Sequence, residues 1–158
     1  MMISTKGRYA LRLMIDLAQH IDDGYISLKT IAVRQETSMK YLEAIIAQLN
    51  KAGMVESLRG KAGGYRLAKT PDAYNIADIL LLAEGSLAPV ACLSCEEKEC
   101  TREDFCLTMP MWQQLAGLIE QYLRCVTLAD LLARRLPIEI DNEVFKNLEL
   151  KNETDICR

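Results

Sequence analysis

A mainly α-helical domain carrying one small β hairpin is the fold class this 158-residue sequence predicts. Three observations predict it. Apolar residues recur at three- and four-residue steps through several separate stretches. A basic, glycine-rich segment, LRGKAGGYRL at 58–67, interrupts that periodicity once. Half of the residues are apolar, enough to bury a core without cross-links.

From Lys6 to about His20, Tyr9, Leu13, Leu17 and Ile21 stand four apart with Ala10 and Met14 alongside, the pattern of an amphipathic helix. Asp22-Asp23-Gly24 ends it. Ser27 is placed to cap a short helix, LKTIAVRQ, that buries Leu28, Ile31 and Ala32. The tight connection Gln35-Glu36-Thr37 leads to a third helix, capped at Thr37 or Ser38. It turns Leu42, Ile45, Ile46 and Leu49 inward and stops at Gly53. MVES and YRLAK then read as short strands joined by a glycine turn. Three helices and a basic hairpin within 70 residues make a winged helix-turn-helix, whose expected ligand is double-stranded DNA.

The loop TPDAYN opens a helix from about Ile76 to Glu84, which Gly85 stops. After a cysteine-rich loop, Thr108 is placed to cap a long helix, MPMWQQLAGLIEQYLRCV, with Pro110 tolerated in its first turn. Trp112, Leu115, Ile119, Tyr122 or Leu123, and Val126 form a stripe. A helix this long with little to cover it is expected to pack against its twin in a homodimer. Thr127 and Asp130 form a capping box before a last short helix, LADLLARR. The expected organisation is residues 1–70 for the DNA-binding unit and 71–135 for a sensor loop (about 90–107) and dimerisation helix. Residues 136–158 form an acidic tail.

Charge follows the same division. Residues 1–70 carry eleven Lys/Arg against six Asp/Glu, whereas 71–158 carry eight against sixteen. A basic half suits a polyanion. No apolar run approaches the roughly 18–20 residues of a membrane span, and a cytoplasmic protein is the expectation. The one histidine, His20, lies far along the chain from the thiols, and no general-base constellation stands out, so no enzymatic role is expected.

The segment CLSCEEKECTREDFC, residues 92–106, holds four of the six cysteines. Disulfides, zinc and an iron–sulfur cluster compete for them. A chain with a core of its own has no need of disulfide staples. Cys92, Cys95, Cys100 and Cys106, spaced C-x2-C-x4-C-x5-C, are a complete four-thiolate set for either common cluster type. Zinc accepts the same donors but usually takes two close pairs, and only Cys92 and Cys95 are close. Cys125 reads as a buried apolar residue of the long helix, and Cys157 has no assigned role.

STKGRYALRLMIDLA at 4–18 and SMKYLEAIIAQLNKAGMVESLRGKAGGYRLAK at 38–69, followed by a cysteine loop ahead of a Trp-bearing helix, resemble the IscR-type winged-helix family of transcriptional regulators. The likeness covers about residues 1–135. It implies a homodimer in which the helix near 108–126 builds the interface through Trp112, Leu115, Ile119 and Tyr122. Each winged helix would read half of a near-palindromic operator, with half-sites about 34 Å apart. Ser38, Lys40, Tyr41 and Glu43 lie where the third helix can reach bases or phosphates. Glu43 suits a cytosine amino group, and Lys40 a phosphate or guanine. Arg59 and Lys61 flank the hairpin turn that Gly63 and Gly64 tighten, placed for a minor groove or the backbone. The resemblance further implies that Cys92, Cys100 and Cys106 bind the iron of a cluster that switches operator affinity. The fourth ligand of such relatives is a histidine or a partner carboxylate; those positions here are Met109 and Arg8, and Cys95 is the added donor. The alternative is a metal-free or zinc-bound regulator of the same fold, controlled by a protein partner or thiol oxidation.

Overall fold

The computed structural model describes residues 3–60, 63–94 and 105–136. The first helix, α1 (Thr5–Gln19), starts at Ser4, whose hydroxyl accepts from the Gly7 amide, and buries Leu13, Met14 and Leu17. Ile21, expected to extend that stripe, is 44% exposed. The reason is local. The helix ends at Gln19 and the chain enters a single 3-10 turn, Ile21–Asp23, so a four-residue step no longer returns to the same face.

Two helices follow as expected. In α2 (Leu28–Arg34) Ser27 caps the Thr30 amide, and in α3 (Met39–Lys51) Ser38 caps the Tyr41 amide. The turn between them closes as a Schellman motif: the Glu36 amide donates to Val33 O at 3.2 Å and the Thr37 amide to Ala32 O at 3.1 Å. That geometry puts Glu36 in the left-handed region, φ 50°, where glycine is the usual occupant. The end of α3 repeats the motif with Gly53 at φ 69°. Leu42, Ile45, Ile46 and Leu49 are all buried.

The hairpin pairs β1 (Val55–Leu58) with β2 (Gly64–Leu67) antiparallel, Val55 opposite Leu67 and Leu58 opposite Gly64. A third segment is stitched to it. Ile26 and Tyr65 exchange both backbone hydrogen bonds at 2.9 Å, anchoring the wing to the residues just ahead of α2. The glycine pair is required by this closeness. A Cβ on Gly63 would meet the Leu58 carbonyl, and one on Gly64 would overlap the Ile26 backbone.

The helix α4 (Ile76–Glu84), capped by Asn75, lies against α1. The long helix α5 (Met109–Cys125) lies against α4, and the short α6 (Leu128–Ala133), with its Thr127–Asp130 capping box formed, returns to α1. Backbone bonds Ile76 N to Val126 O, 2.9 Å, and Leu128 N to Tyr74 O, 3.0 Å, fasten the α5–α6 junction to the start of α4. The resulting core is centred on α1, which touches α3, β2, α4 and α6. Burial along α5 is different in kind: Met109 is its one buried residue. Among the described residues, no helix is long and apolar enough to cross a membrane.

Candidate nucleic-acid interface and cysteine site

The first turn of α3 presents Ser38, Lys40 and Glu43 to solvent. Among the described residues no ion pair joins Lys40 to Glu43, and both side chains are exposed. Tyr41 is placed differently. It is half-buried, and its ring meets the Tyr9 ring edge-on, centroids 5.5 Å apart. Arg59 is exposed just past β1, beside the turn that Gly63 closes with an amide bond to Gly60 O at 2.9 Å. Lys61 lies outside the described residues. On the strands, Glu56 and Arg66 pair at 2.7 Å, and Arg66 lies over the Tyr25 ring, 4.7 Å from its centroid. The Arg66 hydrogen bond holds the Glu56 carboxyl below its ordinary range.

Behind this face sits a residue that sequence reasoning missed. Asp16 is 2% exposed, the buried charged group among the described residues. Its carboxylate accepts from Arg34 Nε at 3.0 Å, from a second Arg34 nitrogen, and from Gln35 Nε2 at 3.0 Å. Hydrogen bonding to Asp16 raises the Arg34 guanidinium above its ordinary value. One helical turn earlier, Arg12 donates from Nε to Gln35 Oε1 at 2.8 Å and from Nη2 to the Gln35 carbonyl at 3.2 Å. Arg12 also lies over the Tyr9 ring, 4.9 Å from its centroid. The lone acid within an apolar helix stripe was the available signal.

A second unforeseen contact explains the STKG opening. Glu84, the last residue of α4, accepts at Oε1 from the Ser4 amide at 3.0 Å and the Ser4 hydroxyl at 2.8 Å. A carboxylate at the positive end of α1 is favourably placed. A Cβ on Gly7 would collide with that same oxygen. Gly7→Ala is therefore expected to destabilise the fold by about 1–2 kcal/mol, because breaking charge-assisted hydrogen bonds outweighs alanine's helix preference. In a Glu84→Ala background the same change should reverse sign and stabilise by up to about 1 kcal/mol. Paired denaturation curves check both.

Of the cysteines, Cys92 is exposed in a single 3-10 turn, Ala91–Leu93. Cys106, half-exposed, precedes α5. Thr108 occupies the cap position of α5 but with φ −95° and ψ −10°, and its side chain makes no capping bond. The hydroxyl lies instead 3.4 Å from Cys106 Sγ. That hydroxyl, together with the Thr108 and Met109 amides, draws the Cys106 thiol below its ordinary value. Met109 is 5% exposed, and Arg8 is exposed, with its guanidinium on Thr5 Oγ1 at 3.2 Å. Cys95, Cys100 and Cys157 lie outside the described residues, among which no group of three or more potential metal ligands occurs. Cys92, Cys106 and Cys125 are free thiols. Cys125, expected to be buried, is exposed. Among the described residues, α5 packs mainly on α4.

On α5, Trp112 and Ile119 are half-buried, while Leu115, Tyr122 and Met111 are 38%, 39% and 52% exposed. Arg124 holds the far end of the helix to α4 through Asp78 at 3.1 Å, with Glu120 at 2.8 Å beside it.

This architecture has known counterparts. Residues 3–134 match the family model Rrf2, described as iron-dependent transcriptional regulator. The HTH-type transcriptional regulator IscR of Yersinia enterocolitica is 37% identical over 141 residues, 89% of this chain and 84% of that protein. Among solved structures, IscR of T. potens matches with a TM-score of 0.69 and 41% identity, covering 85% of this chain and 88% of that one. CymR, the global cysteine regulator of B. subtilis, matches with the same TM-score, 0.69, at 39% identity, covering 85% and 98%. With a family model matched over residues 3–134 and relatives at these identities and coverages, the chain belongs to the Rrf2 family of transcriptional regulators, DNA-binding proteins rather than enzymes.

Proposed function

We propose that the chain acts as a homodimer on a near-palindromic operator and that an iron–sulfur cluster held by Cys92, Cys95, Cys100 and Cys106 sets its affinity. The observation that carries the cluster reading is the environment of Cys106. Its sulfur sits at the head of α5 with a hydroxyl and two amides favouring the thiolate, the form that binds metal. Cys92, at the other end of the loop, is exposed and free. The donor set fits a cluster: soft thiolates, with Cys95 as fourth ligand in place of a buried thioether at Met109. When bound, such a group supplies a redox-sensitive link between distant points of one loop. The chain's own residues do the rest. Ser38, Lys40 and Glu43 on α3 meet the major groove, while Arg59 and Lys61 at the wing grip the backbone or minor groove. Trp112, Leu115, Ile119 and Tyr122 on α5 join the two copies.

A second reading uses the same thiols without iron. A half-exposed thiol of lowered pKa, one of four in a fifteen-residue stretch of sequence, is open to oxidation or zinc, and one similar protein is a cysteine regulator. Anaerobic purification with metal and sulfide analysis separates the two. A brown protein with iron and acid-labile sulfide in similar amounts is the expected result. A colourless protein, whether metal-free or carrying stoichiometric zinc, overturns the cluster reading in favour of the second.

A further inference from the structure

We infer that the buried Asp16 and its partners Arg34 and Gln35 are positioning residues that fix the pose of α3 on DNA, and so set operator preference. This rests on the reading above that α3 enters the major groove. Residues 34 and 35 are the last residue of α2 and its C-cap, so whatever holds them holds the turn into α3. Asp16 and Arg12 grip both from α1: Asp16 takes Arg34 and the Gln35 amide group, and Arg12 takes the Gln35 side-chain oxygen and its carbonyl. The same face of α1 carries Tyr9, against which Tyr41 in the first turn of α3 rests. The two helices are therefore tied to one rigid rod on both sides of their turn.

The chemistry points to pose rather than stability. Asp16 is buried but its partner Arg34 is exposed, and an ion pair open to solvent on one side contributes little, so the pair is poor value as a stabiliser. The hydrogen bonds are directional where an apolar contact would tolerate sliding. They also bracket Glu36, whose φ of 50° is unfavourable without glycine. A turn that carries strain relaxes when its restraints are removed, and a small rotation of α3 moves Lys40 and Glu43 off their base edges.

The test uses the full-length dimer and two duplexes. One is selected by the wild-type protein from a random-sequence pool; the other is a scramble of equal length and composition. Asp16→Leu with Arg34→Met removes the pair at no change in net charge. Gln35→Met cuts the side-chain links to Arg12 and Asp16 while leaving the ion pair and the Arg12 bond to the residue-35 carbonyl, and serves if the first variant does not fold. Either folded variant is expected to lose about tenfold on the selected duplex, comparable to one mismatched base pair, and to keep wild-type affinity for the scramble. Wild-type affinity for both duplexes would overturn the inference, reducing the network to packing. Equal losses on both would overturn it too, in favour of direct phosphate contact. A wild-type protein that enriches no sequence fails the operator reading itself.

Discussion

Ile119→Asp is expected to yield monomers at micromolar concentration and to abolish operator-specific binding while weak, salt-sensitive DNA binding survives. Ile119 lies half-buried on α5, where Met109 is the one buried residue among those described and Leu115 and Tyr122 are exposed. Burying a large apolar side chain is worth roughly 1.5–3 kcal/mol, and a two-fold interface counts each substitution twice. Two carboxylates brought together there add desolvation and like-charge repulsion. A monomer keeps one half-site and loses the effective concentration that the second supplies. Sedimentation gives the assembly state and a salt titration of DNA binding gives the rest. A variant that remains dimeric would place Ile119 in the packing of α5 on α4 and remove it from the interface.

Cys106→Ala, purified anaerobically, is expected to lose all visible charge-transfer absorption, and Cys92→Ala and Cys100→Ala should do the same. Cys106 lies outside the apolar core, so thermal unfolding of the apoprotein should move by less than about 1 kcal/mol, as for other surface substitutions. Cys125→Ala is the matched control, because its thiol is exposed on α5 and no other described cysteine pairs with it. Cys95→Ala decides the fourth ligand. Unchanged colour and unchanged cluster lifetime in that variant would return the position to another donor, while a bleached protein assigns it to Cys95.

The helices were legible because their signals are local. Ser27, Ser38 and Thr127 cap where a serine or threonine before an apolar repeat says they should, each bonded three residues on. The wing was legible through its glycines. The cap at Thr108 failed because its backbone is helical, which turns the hydroxyl toward Cys106 and away from α5. Burial of Cys125 failed because periodicity reports a stripe without saying whether anything covers it. The contacts of Asp16 with Arg34 and of Ser4 with Glu84 join residues 18 and 80 apart. No spacing rule reaches that far, and a single buried acid looks like noise until its partners are seen.

The placement of α1 has a bearing on modularity. The same fifteen-residue rod backs the helix-turn-helix and the wing on some sides, and α4 and α6 on others. A fragment ending near residue 70 would strip α4 and α6 from α1, and with them Ile79 and Leu128 from the core that holds Leu13, Met14 and Leu17. The winged helix-turn-helix is thus no cassette that can be lifted out and fused to another domain. On the proposal that α3 reads the operator, grafting a new sequence preference calls for exchanging surface positions of α3 in place, with the frame that α4 and α6 complete left whole.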